Sequence, residues 1–480
     1  MKEQEGFQDL SDSSGQRFQV AREDGKAAVV FLHGASVLGA VSRRPDSLPA
    51  AMAALEETRR TLEKDETAPV AAVRERKWRL GFSERGRFDS WDNVETLDEE
   101  RRLGRAAAFL RTRLVLEADV GRGLGFEVGL NNELRWVIAP SGEKFQADEA
   151  IFDRLLVRWS SPAGAPLVLT LGRQGLFFGD GFLVAEGTPL DETRSDYFNA
   201  LRLDWAPAAG RRLTLFAFHQ TEKDAFLPVI RSRNRPLTEQ PETGLGAVFG
   251  WKEERKEWEA AVIFKKAAAG SSLLPPSDIL AFDGRAVLGL RRGISLSGEA
   301  AVQAGKKGGA GLFAWGASLR LDWEAEIAPL PPLRISAGGF ALSGDDPASV
   351  RDEGWDPMFG RWPRWSESYI HTLALEYGGR TAWWSNLSCL YGEMDFLFKD
   401  RIGLRLAVRG LSAPRAGTDS WSMVSGEGRT RGILWSARVA LRLSGNLRGH
   451  LLYENFRPGD YYLPSADGYS FLRFELLWLY

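Results

Sequence analysis

The stretch FLRFELLWLY, residues 471–480, alternates between two kinds of side chain. Arg473 and Glu475 fall on one side of an extended strand, because successive side chains of a strand point to opposite faces. The other side carries the apolar residues Leu472, Phe474, Leu476, Trp478 and Tyr480. The stretch therefore predicts a β-strand with one charged face and one apolar face, continuing up to an aromatic residue.

The same period of two recurs from Lys77 onward. In the segment 109–120, for example, Leu114 and Leu116 lie opposite Arg111 and Arg113. Such alternation fits a soluble β-sandwich, whose apolar face meets a second sheet. It equally fits a membrane barrel, whose apolar face meets lipid and whose polar face lines a lumen. Further segments with the same alternation are 124–136, 313–323 and 433–443.

Three features favour the barrel. The segments are about 9–13 residues long, which a tilted strand needs to cross a bilayer, whereas soluble strands average about 5–6. Arginines recur in mid-strand, where a packed sandwich core could not hydrate them. Tryptophans cluster near strand ends, as they do in the interfacial girdles of membrane barrels. These tryptophans are Trp136, Trp159, Trp205, Trp251, Trp258 and Trp323.

The connections between segments alternate in length. Short links such as 121–123 and 444–446 alternate with long ones such as 174–196 and 344–367, which is the pattern of periplasmic turns and external loops. We therefore predict an all-β fold, a single-chain transmembrane antiparallel β-barrel of about 18 strands in the Gram-negative outer membrane. Its last strand should pair with its first, because a barrel leaves no free edge.

Two details of this barrel are predicted from the alternation. Counts of strands from the two ends disagree in 325–400, where one strand is missed or invented. Leu441 is expected at mid-membrane depth, where arginine would cost about 2–4 kcal/mol. The residues predicted to face lipid are Trp315, Leu319, Leu321, Trp435, Val439, Leu441, Phe474 and Leu476.

The overall composition excludes several classes of protein. The chain has 480 residues, of which 26% are charged, with a net charge of −2. That balance argues against nucleic acid as a partner. The single Cys389 permits no intrachain disulfide and no cysteine metal cluster. No run of 18 or more apolar residues occurs, so no transmembrane helix is expected.

Residues 1–75 differ from the rest, and we interpret them as an N-terminal extension before a barrel of residues 76–480. The segment 27–40 has the length of the apolar region of a signal peptide, although His33 interrupts it. It is either an atypical signal or an ordinary short buried segment. The segment 46–66 has helical spacing and predicts a short periplasmic helix or linker.

Three segments resemble motifs of one family of membrane barrels. LGRQGLFFGDG (171–181), GWDPMFGRWPRWSE (354–367) and ENFRPGDYYLPSADGYSFLRFELLW (454–478) resemble, in this order, segments of the alginate-export family of outer-membrane porins. The resemblance covers about 76–480 and implies passive transport of a polysaccharide or another anionic saccharide. It also implies that an aromatic ending is read by the outer-membrane assembly machinery, through Phe474, Leu476, Trp478 and Tyr480.

Basic side chains outnumber acidic ones on the predicted lumenal faces. The planar guanidinium of arginine binds carboxylates bidentately and keeps its charge, so it suits the path of an anion. The alternative is that these arginines form ion-pair ladders that hold neighbouring strands in register. The residues predicted to line the substrate path are Arg111, Arg113, Arg158, Arg173, Arg202, Arg320, Arg405, Arg438 and Arg473.

Motifs for catalysis are poor, and we predict that the protein is not an enzyme. The four histidines are scattered, and no nucleotide-binding loop or nucleophile elbow occurs. A barrel phospholipase would need a lipid-facing Ser/His pair, for which His219 and His371 are the candidates. The acidic loop 343–356 could hold Ca²⁺, although such loops are more often simply solvated.

We expect no cofactor and a monomeric protein whose partners are outer-membrane lipid, the assembly machinery and an anionic saccharide or similar solute. The function predicted from the sequence is that of a porin for small anionic solutes. The alternative is a plugged structural or surface-binding barrel without transport.

Overall fold

A computed structural model describes residues 77–480, apart from the gaps 141–144, 186–196, 225, 232–236, 271–273, 292, 326–330, 361–364, 377–383, 399–400 and 418–420. Before residue 77 it describes the backbone of four strands: β1 (Phe7–Ser11), β2 (Arg17–Glu23), β3 (Lys26–His33) and β4 (Ser36–Ser42). These strands form an antiparallel sheet in chain order. The segment 27–40 therefore coincides with β3 and β4, and the segment 46–66 lies outside the described residues.

The strands from residue 78 onward build one closed barrel. They are β5 (Trp78–Asp92), β6 (Gly104–Gly121), β7 (Leu124–Ala139), β8 (Gln146–Ser160), β9 (Leu167–Gln174), β10 (Phe198–Ala208), β11 (Arg211–Gln220), β12 (Val229–Arg231), β13 (Glu242–Glu253), β14 (Lys256–Ala267), β15 (Ser277–Gly289), β16 (Ile294–Lys307), β17 (Ala310–Ala325), β18 (Leu333–Leu342), β19 (Arg351–Asp352), β20 (Leu387–Phe398), β21 (Ile402–Ser412), β22 (Thr430–Arg442), β23 (Leu447–Pro458) and β24 (Tyr469–Leu479). Without the short β12 and β19, which lie in loops, the barrel has 18 antiparallel strands, as predicted.

The barrel closes where β24 pairs with β5. Ser470 lies opposite Asp92 and Leu479 opposite Ser83. Beyond the strand itself, Phe82 and Tyr480 exchange both backbone hydrogen bonds, at 3.0 and 2.9 Å. The ring of Trp478 packs edge-on against Phe82 at 5.6 Å. The predicted pairing of the last strand with the first is therefore confirmed, and it extends to the final aromatic residue.

The two faces of the barrel wall follow the alternation in the sequence. On β24, Arg473 and Glu475 are buried inside, whereas Phe474 and Trp478 are exposed on the outside. All six tryptophans predicted to form girdles are exposed on the outer surface. Since an outer-membrane barrel meets hydrocarbon with this face, the apolar band and its aromatic edges identify the lipid-facing surface.

The prediction about the depth of Leu441 was wrong. Leu441 has the lipid-facing parity of Trp435, but it is the next-to-last residue of β22. It pairs with Ile402, the first residue of β21. The strand ends here because the turn to β23 begins, so Leu441 lies near the edge of the apolar band rather than in its middle.

The two ends of the barrel differ. Connections at the turn end are short, such as 122–123 and 209–210, whereas most at the loop end are long, such as 175–197 and 343–386. By the rule for such barrels the turn end is periplasmic and the loop end extracellular. A 3-10 turn, Pro162–Gly164, lies at the turn end.

The long loop 343–386 lies where the numbers of strands counted from the two ends of the sequence disagree. It contains helix α1 (Tyr369–Glu376), which buries Tyr369, Ile370 and Leu373. This helix lies within 325–400, the range in which the two predicted counts of strands disagree. No helix in the described part of the chain is long and apolar enough to cross a membrane.

Loop segments and inward-facing strand residues form a hydrophobic core inside the loop half of the barrel. Trp355, Met358 and Tyr369 from the loop 343–386 are fully buried there. Cys389 on β20 faces the same core and is 2% exposed. The wall contributes such residues as Phe198, Phe216, Phe218, Ile263, Leu312 and Leu434.

Candidate permeation pathway

One loop segment docks against the interior of the wall at β14–β16. The backbone N–H of Gly179 donates to Glu259 at 2.6 Å, and that of Asp180 donates to Glu299 at 2.8 Å. The Asp180 carboxylate accepts from Arg285 on β15 at 3.0 Å. Gly179 has a positive φ of 59°, which favours glycine, and a Cβ there would lie 2.5 Å from the Glu299 carboxylate and displace it. The FFGDG part of the sequence motif is therefore a segment that narrows the lumen.

A second loop segment, 354–360, is held beside the first. Phe359 donates its N–H to the carbonyl of Leu183 at 2.9 Å, which joins the two segments. Lys265 on β14 donates to Asp356 at 2.9 Å. Burial alone raises the pKa of the Asp356 carboxyl, but the ammonium groups of Lys265 and Lys307 outweigh this and hold the pKa below its usual value. Asp356 is therefore a charged anchor inside the barrel.

Helix α1 and the residues before it are anchored on another part of the wall, at β22 and β23. Arg431 on β22 forms an ion pair with Glu376 at the end of the helix. Glu454 on β23 accepts hydrogen bonds from Ser366 at 2.8 Å and from the N–H of Ser368 at 2.8 Å. Both partners of the Arg431–Glu376 pair are fully buried, so separating them would leave an uncompensated charge. These contacts fix the loop inside the barrel.

A belt of buried arginines crosses the wall from β24 to β6. Arg473 donates to Asp89 at 2.8 and 2.9 Å, and Arg87 lies 3.2 Å from the same carboxylate. Arg85 lies 3.5 Å from Glu133, and Arg113 lies 2.8 Å from Asp153. The carboxylates compensate part of the positive charge, as they must where so many guanidinium groups are removed from bulk water. The described residues of this belt that are less than 9% exposed include Arg85, Arg87, Arg111, Arg113 and Arg473.

Below this belt, toward the turn end, lumenal arginines are accessible. The side chain of Arg158 is 46% exposed and that of Arg79 is 39% exposed. Arg79 is paired with Glu117 on the neighbouring strand. Arg202 lies 2.7 Å from Asp204, whose strand it shares. The turn half of the lumen is therefore lined by solvated ion pairs, whose guanidinium groups retain accessible faces.

The structure brings most of the predicted path residues to the lumenal face but divides them into two groups. Arg111, Arg113 and Arg473 lie in the buried belt. The others are partly exposed. Four of them have carboxylate partners, for example Arg405, which lies 2.6 Å from Asp395. This accessible group consists of Arg158, Arg202, Arg320, Arg405 and Arg438. Their role in a substrate path stays a prediction.

Arg173 does not line the lumen, contrary to the prediction. It shares its parity on β9 with Leu171, which is 59% exposed on the outer surface. Arg173 itself is fully buried, because the loop that contains β12 covers it. It lies 2.6 Å from Asp224 and donates to the carbonyl of Phe152 at 2.7 Å. Arg173 therefore anchors a loop to the wall where the short β9 ends.

Several lumenal residues were missed in the sequence. Arg85 and Arg87 share the parity of Arg79, so the alternation alone could have found them. Glu259 and Glu299 became important only because Gly179 and Asp180 dock on them, and no pattern in the sequence signals that contact.

The two candidate histidines lie on different sides of the barrel wall, and the acidic loop forms an ion pair. His219 on the outer face contacts Thr243 at 2.9 Å, and His371 lies inside the barrel, 5.9 Å from the Trp91 ring. In the loop 343–356, Asp346 pairs with Arg415 at 3.1 Å. The described residues include no group of three or more His, Cys, Asp or Glu that could hold a metal ion.

The closed wall, the lipid-facing band and the charged interior define an outer-membrane β-barrel. No protein-family model matches the chain, and no curated protein matches it. Solved barrels do. OccAB1 of Acinetobacter baumannii is 11% identical, with a TM-score of 0.52 over 84% of this chain and 96% of its own.

Two structures from Pseudomonas aeruginosa are similar to the same degree. OpdQ is 11% identical, with a TM-score of 0.52 over 85% of this chain and 99% of its own. OccK2 (OpdF), solved in complex with glucuronate, is 12% identical, with a TM-score of 0.51 over 84% of this chain and 96% of its own. At such low identity the likeness shows the fold alone, a closed antiparallel barrel of 18 strands.

Proposed function

We propose that this protein is an outer-membrane channel that passes small anionic solutes, such as saccharide acids, by passive diffusion. The observation that carries the proposal is the set of accessible lumenal arginines in the turn half, among them Arg79, Arg158 and Arg202. Like charges around a low-dielectric wall raise the local concentration of anions. The paired carboxylates weaken each site, and conduction needs binding that still allows release.

The comparison with OccK2 supports a carboxylate-bearing sugar as the kind of solute, because that barrel was solved with glucuronate. Export of alginate is the finer proposal from the motif resemblance. Since no family model matches the chain, the three motifs are its only support. We further propose a monomeric, non-enzymatic barrel whose last strand, with Phe474, Leu476, Trp478 and Tyr480, serves as its assembly signal.

One observation favours a second candidate function, a plugged barrel without transport. The loop half of the interior contains a packed core with fully buried Trp355, Met358 and Leu373. If that core leaves no continuous water path, the barrel would act as a structural or surface-binding protein.

Conductance in a planar lipid bilayer tests both candidates. Purified protein should give discrete steps, and the reversal potential across a salt gradient should show anion preference. The variant Arg79→Gln/Arg158→Gln/Arg202→Gln should lose much of that preference. The matched control is Arg122→Gln/Arg255→Gln/Arg291→Gln, which removes the same charge from exposed turns and should behave as wild type.

Each outcome decides between the proposals. Silence of correctly folded protein would favour the plugged barrel, and cation preference of the wild type would refute the anionic solute. Added glucuronate should reduce the current of wild type more than that of the lumenal variant. Equal effects would show that the arginines do not bind the carboxylate.

A further inference from the structure

The outer surface of β14–β17 carries three successive rows of aligned side chains. The first row places Val262, Phe282, Val302 and Trp315 side by side, according to the register of the four strands. The second row, two residues nearer to the loop end, consists of Phe264, Leu280, Ala304 and Phe313. The third consists of Lys266, Asp278, Lys306 and Gly311. An apolar surface thus ends abruptly in a row that carries two ammonium groups.

The two lysines of the third row point outward because each follows the alternation of its strand. Each has a neighbour in sequence that points into the barrel: Lys265 lies 2.9 Å from Asp356, and Lys307 lies 3.0 Å from Asp352. Lys266 and Lys306, in contrast, are exposed. Within the described ranges, their side chains form no ion pair or hydrogen bond. Their charge is therefore available to a ligand.

The row lies at the rim of the barrel, where little chain follows it. The connection from β16 to β17 consists of Gly308 and Gly309 alone, with φ values of 58° and 90° that favour glycine. This is a short connection at the end where most connections are long. A headgroup can therefore approach Lys306 along the outer surface and from above.

We propose that these rows form a binding site for a phosphorylated, acylated lipid of the leaflet at the loop end. Lys266 and Lys306 hold its phosphate, and its acyl chains lie along the first and second rows. The two lysines are separated by one strand, about 10 Å at the usual spacing, which their long side chains can span to reach one phosphate or two on one headgroup. Basic residues beside an apolar surface are how proteins recognise anionic lipids.

The apolar rows are the reason to assign the phosphate to a lipid rather than to a soluble ion. Phe282 and Phe313, which lie in these rows on the strands next to those of the lysines, are 50% and 52% exposed. A free phosphate would use only the third row, whereas a lipid uses all three. The site differs from the lumenal arginines in position and in ligand, and it does not depend on the proposed transport function.

Asp278 provides an internal test, because it lies between the two lysines. In the described part of the structure its carboxylate forms no ion pair or hydrogen bond with either lysine. It therefore weakens the positive electrostatic potential of both lysines without pairing with one of them. Removing its charge should strengthen phosphate binding, whereas removing the lysine charges should weaken it. A merely structural role of the row would not give opposite effects.

The experiment measures lipid binding to purified, detergent-solubilised protein by native mass spectrometry. The probes are bisphosphorylated lipid A and the same lipid after removal of both phosphates. Wild type should prefer the phosphorylated form. Lys266→Gln/Lys306→Gln should bind it about 10- to 30-fold more weakly, at about a factor of five for each charge. Asp278→Asn should bind it several-fold more tightly.

The matched control is Lys252→Gln/Lys256→Gln, which removes two exposed lysines at the turn end of β13 and β14. It should bind as wild type does. Equal binding of the two lipid forms by wild type would overturn the proposal, as would unchanged affinity of the double lysine variant. If that variant does not fold, the direction of the Asp278→Asn effect decides, and no gain in affinity would refute the site.

Discussion

Arginine substitutions at two depths of β22 test how the barrel sits in the bilayer. The lipid-facing residues of this strand are Ile433, Trp435, Ala437, Val439 and Leu441, and Ala437 is the central one. Leu441 is four residues away, or about 13–14 Å along the strand. With a strand tilt of about 40°, this corresponds to about 10 Å of depth. Since the apolar band is about 25 Å tall, Leu441 lies near its edge.

The expected costs follow from these depths. Ala437→Arg places a charge near mid-membrane and should lower the free energy of unfolding by about 2–4 kcal/mol, whereas Leu441→Arg should cost about 0–1 kcal/mol. A difference of about 2–3 kcal/mol changes the folding equilibrium about 30- to 150-fold. Ala437→Leu is the control for size, and it should leave stability unchanged or raise it, because the lipid accommodates the added volume.

The assay is reversible unfolding in lipid vesicles, followed by tryptophan fluorescence as denaturant is increased. Equal costs at the two positions would refute the depth assigned to β22. A negligible cost at Ala437 would refute the assignment of this face to lipid.

Three further predictions concern single residues. Asp224→Asn should lower the free energy of unfolding by about 3–5 kcal/mol, because it leaves the charge of Arg173 buried and uncompensated; the exposed neighbour Lys223→Gln is the control, and similar effects of both would contradict the anchoring role. Tyr480→Asp should reduce the amount of heat-modifiable, membrane-inserted barrel in cells, and a normal amount would show that the ending is not an assembly signal. Burial lowers the pKa of His371 in helix α1, so below about pH 6.5 the unfolded chain binds a proton that the folded protein does not, and stability falls with acidification. The unfolding midpoints of His371→Gln, measured at pH 7.5 and 5.5, should therefore differ less than those of wild type. An equal difference would show that His371 does not cause the pH dependence of stability.

The barrel wall could be predicted from the sequence because its physics is local. Each strand must direct apolar residues to lipid. The alternation of apolar and polar residues in the sequence therefore predicts both the strand and the face on which each residue lies. The same rule, applied strictly, would have placed Arg173 outside the lumen, because it shares the parity of Leu169 and Leu171.

The interior of the loop half could not be predicted in this way. Its contacts join residues far apart in the chain, such as Gly179 with Glu259 and Ser368 with Glu454. The sequence of a loop has no repeating pattern that would predict such contacts. For the same reason, the sequence indicated lumenal arginines but not which of them the folded loops and neighbouring carboxylates would cover. The division between Arg111 in the buried belt and Arg158 in the accessible half is a property of the assembled barrel.

The position of Cys389 makes its thiol a natural probe of whether the packed loops inside the barrel open. It is the single cysteine of the chain, and its side chain is enclosed by the packed loops at 2% exposure. A water-soluble maleimide can react with it only when those loops separate. The rate of thiol alkylation in the native protein therefore measures how often the interior of the loop half opens, without an engineered label. A barrel that opens during transport would be alkylated faster under an applied voltage or solute gradient, whereas a permanent plug would keep the thiol unreactive.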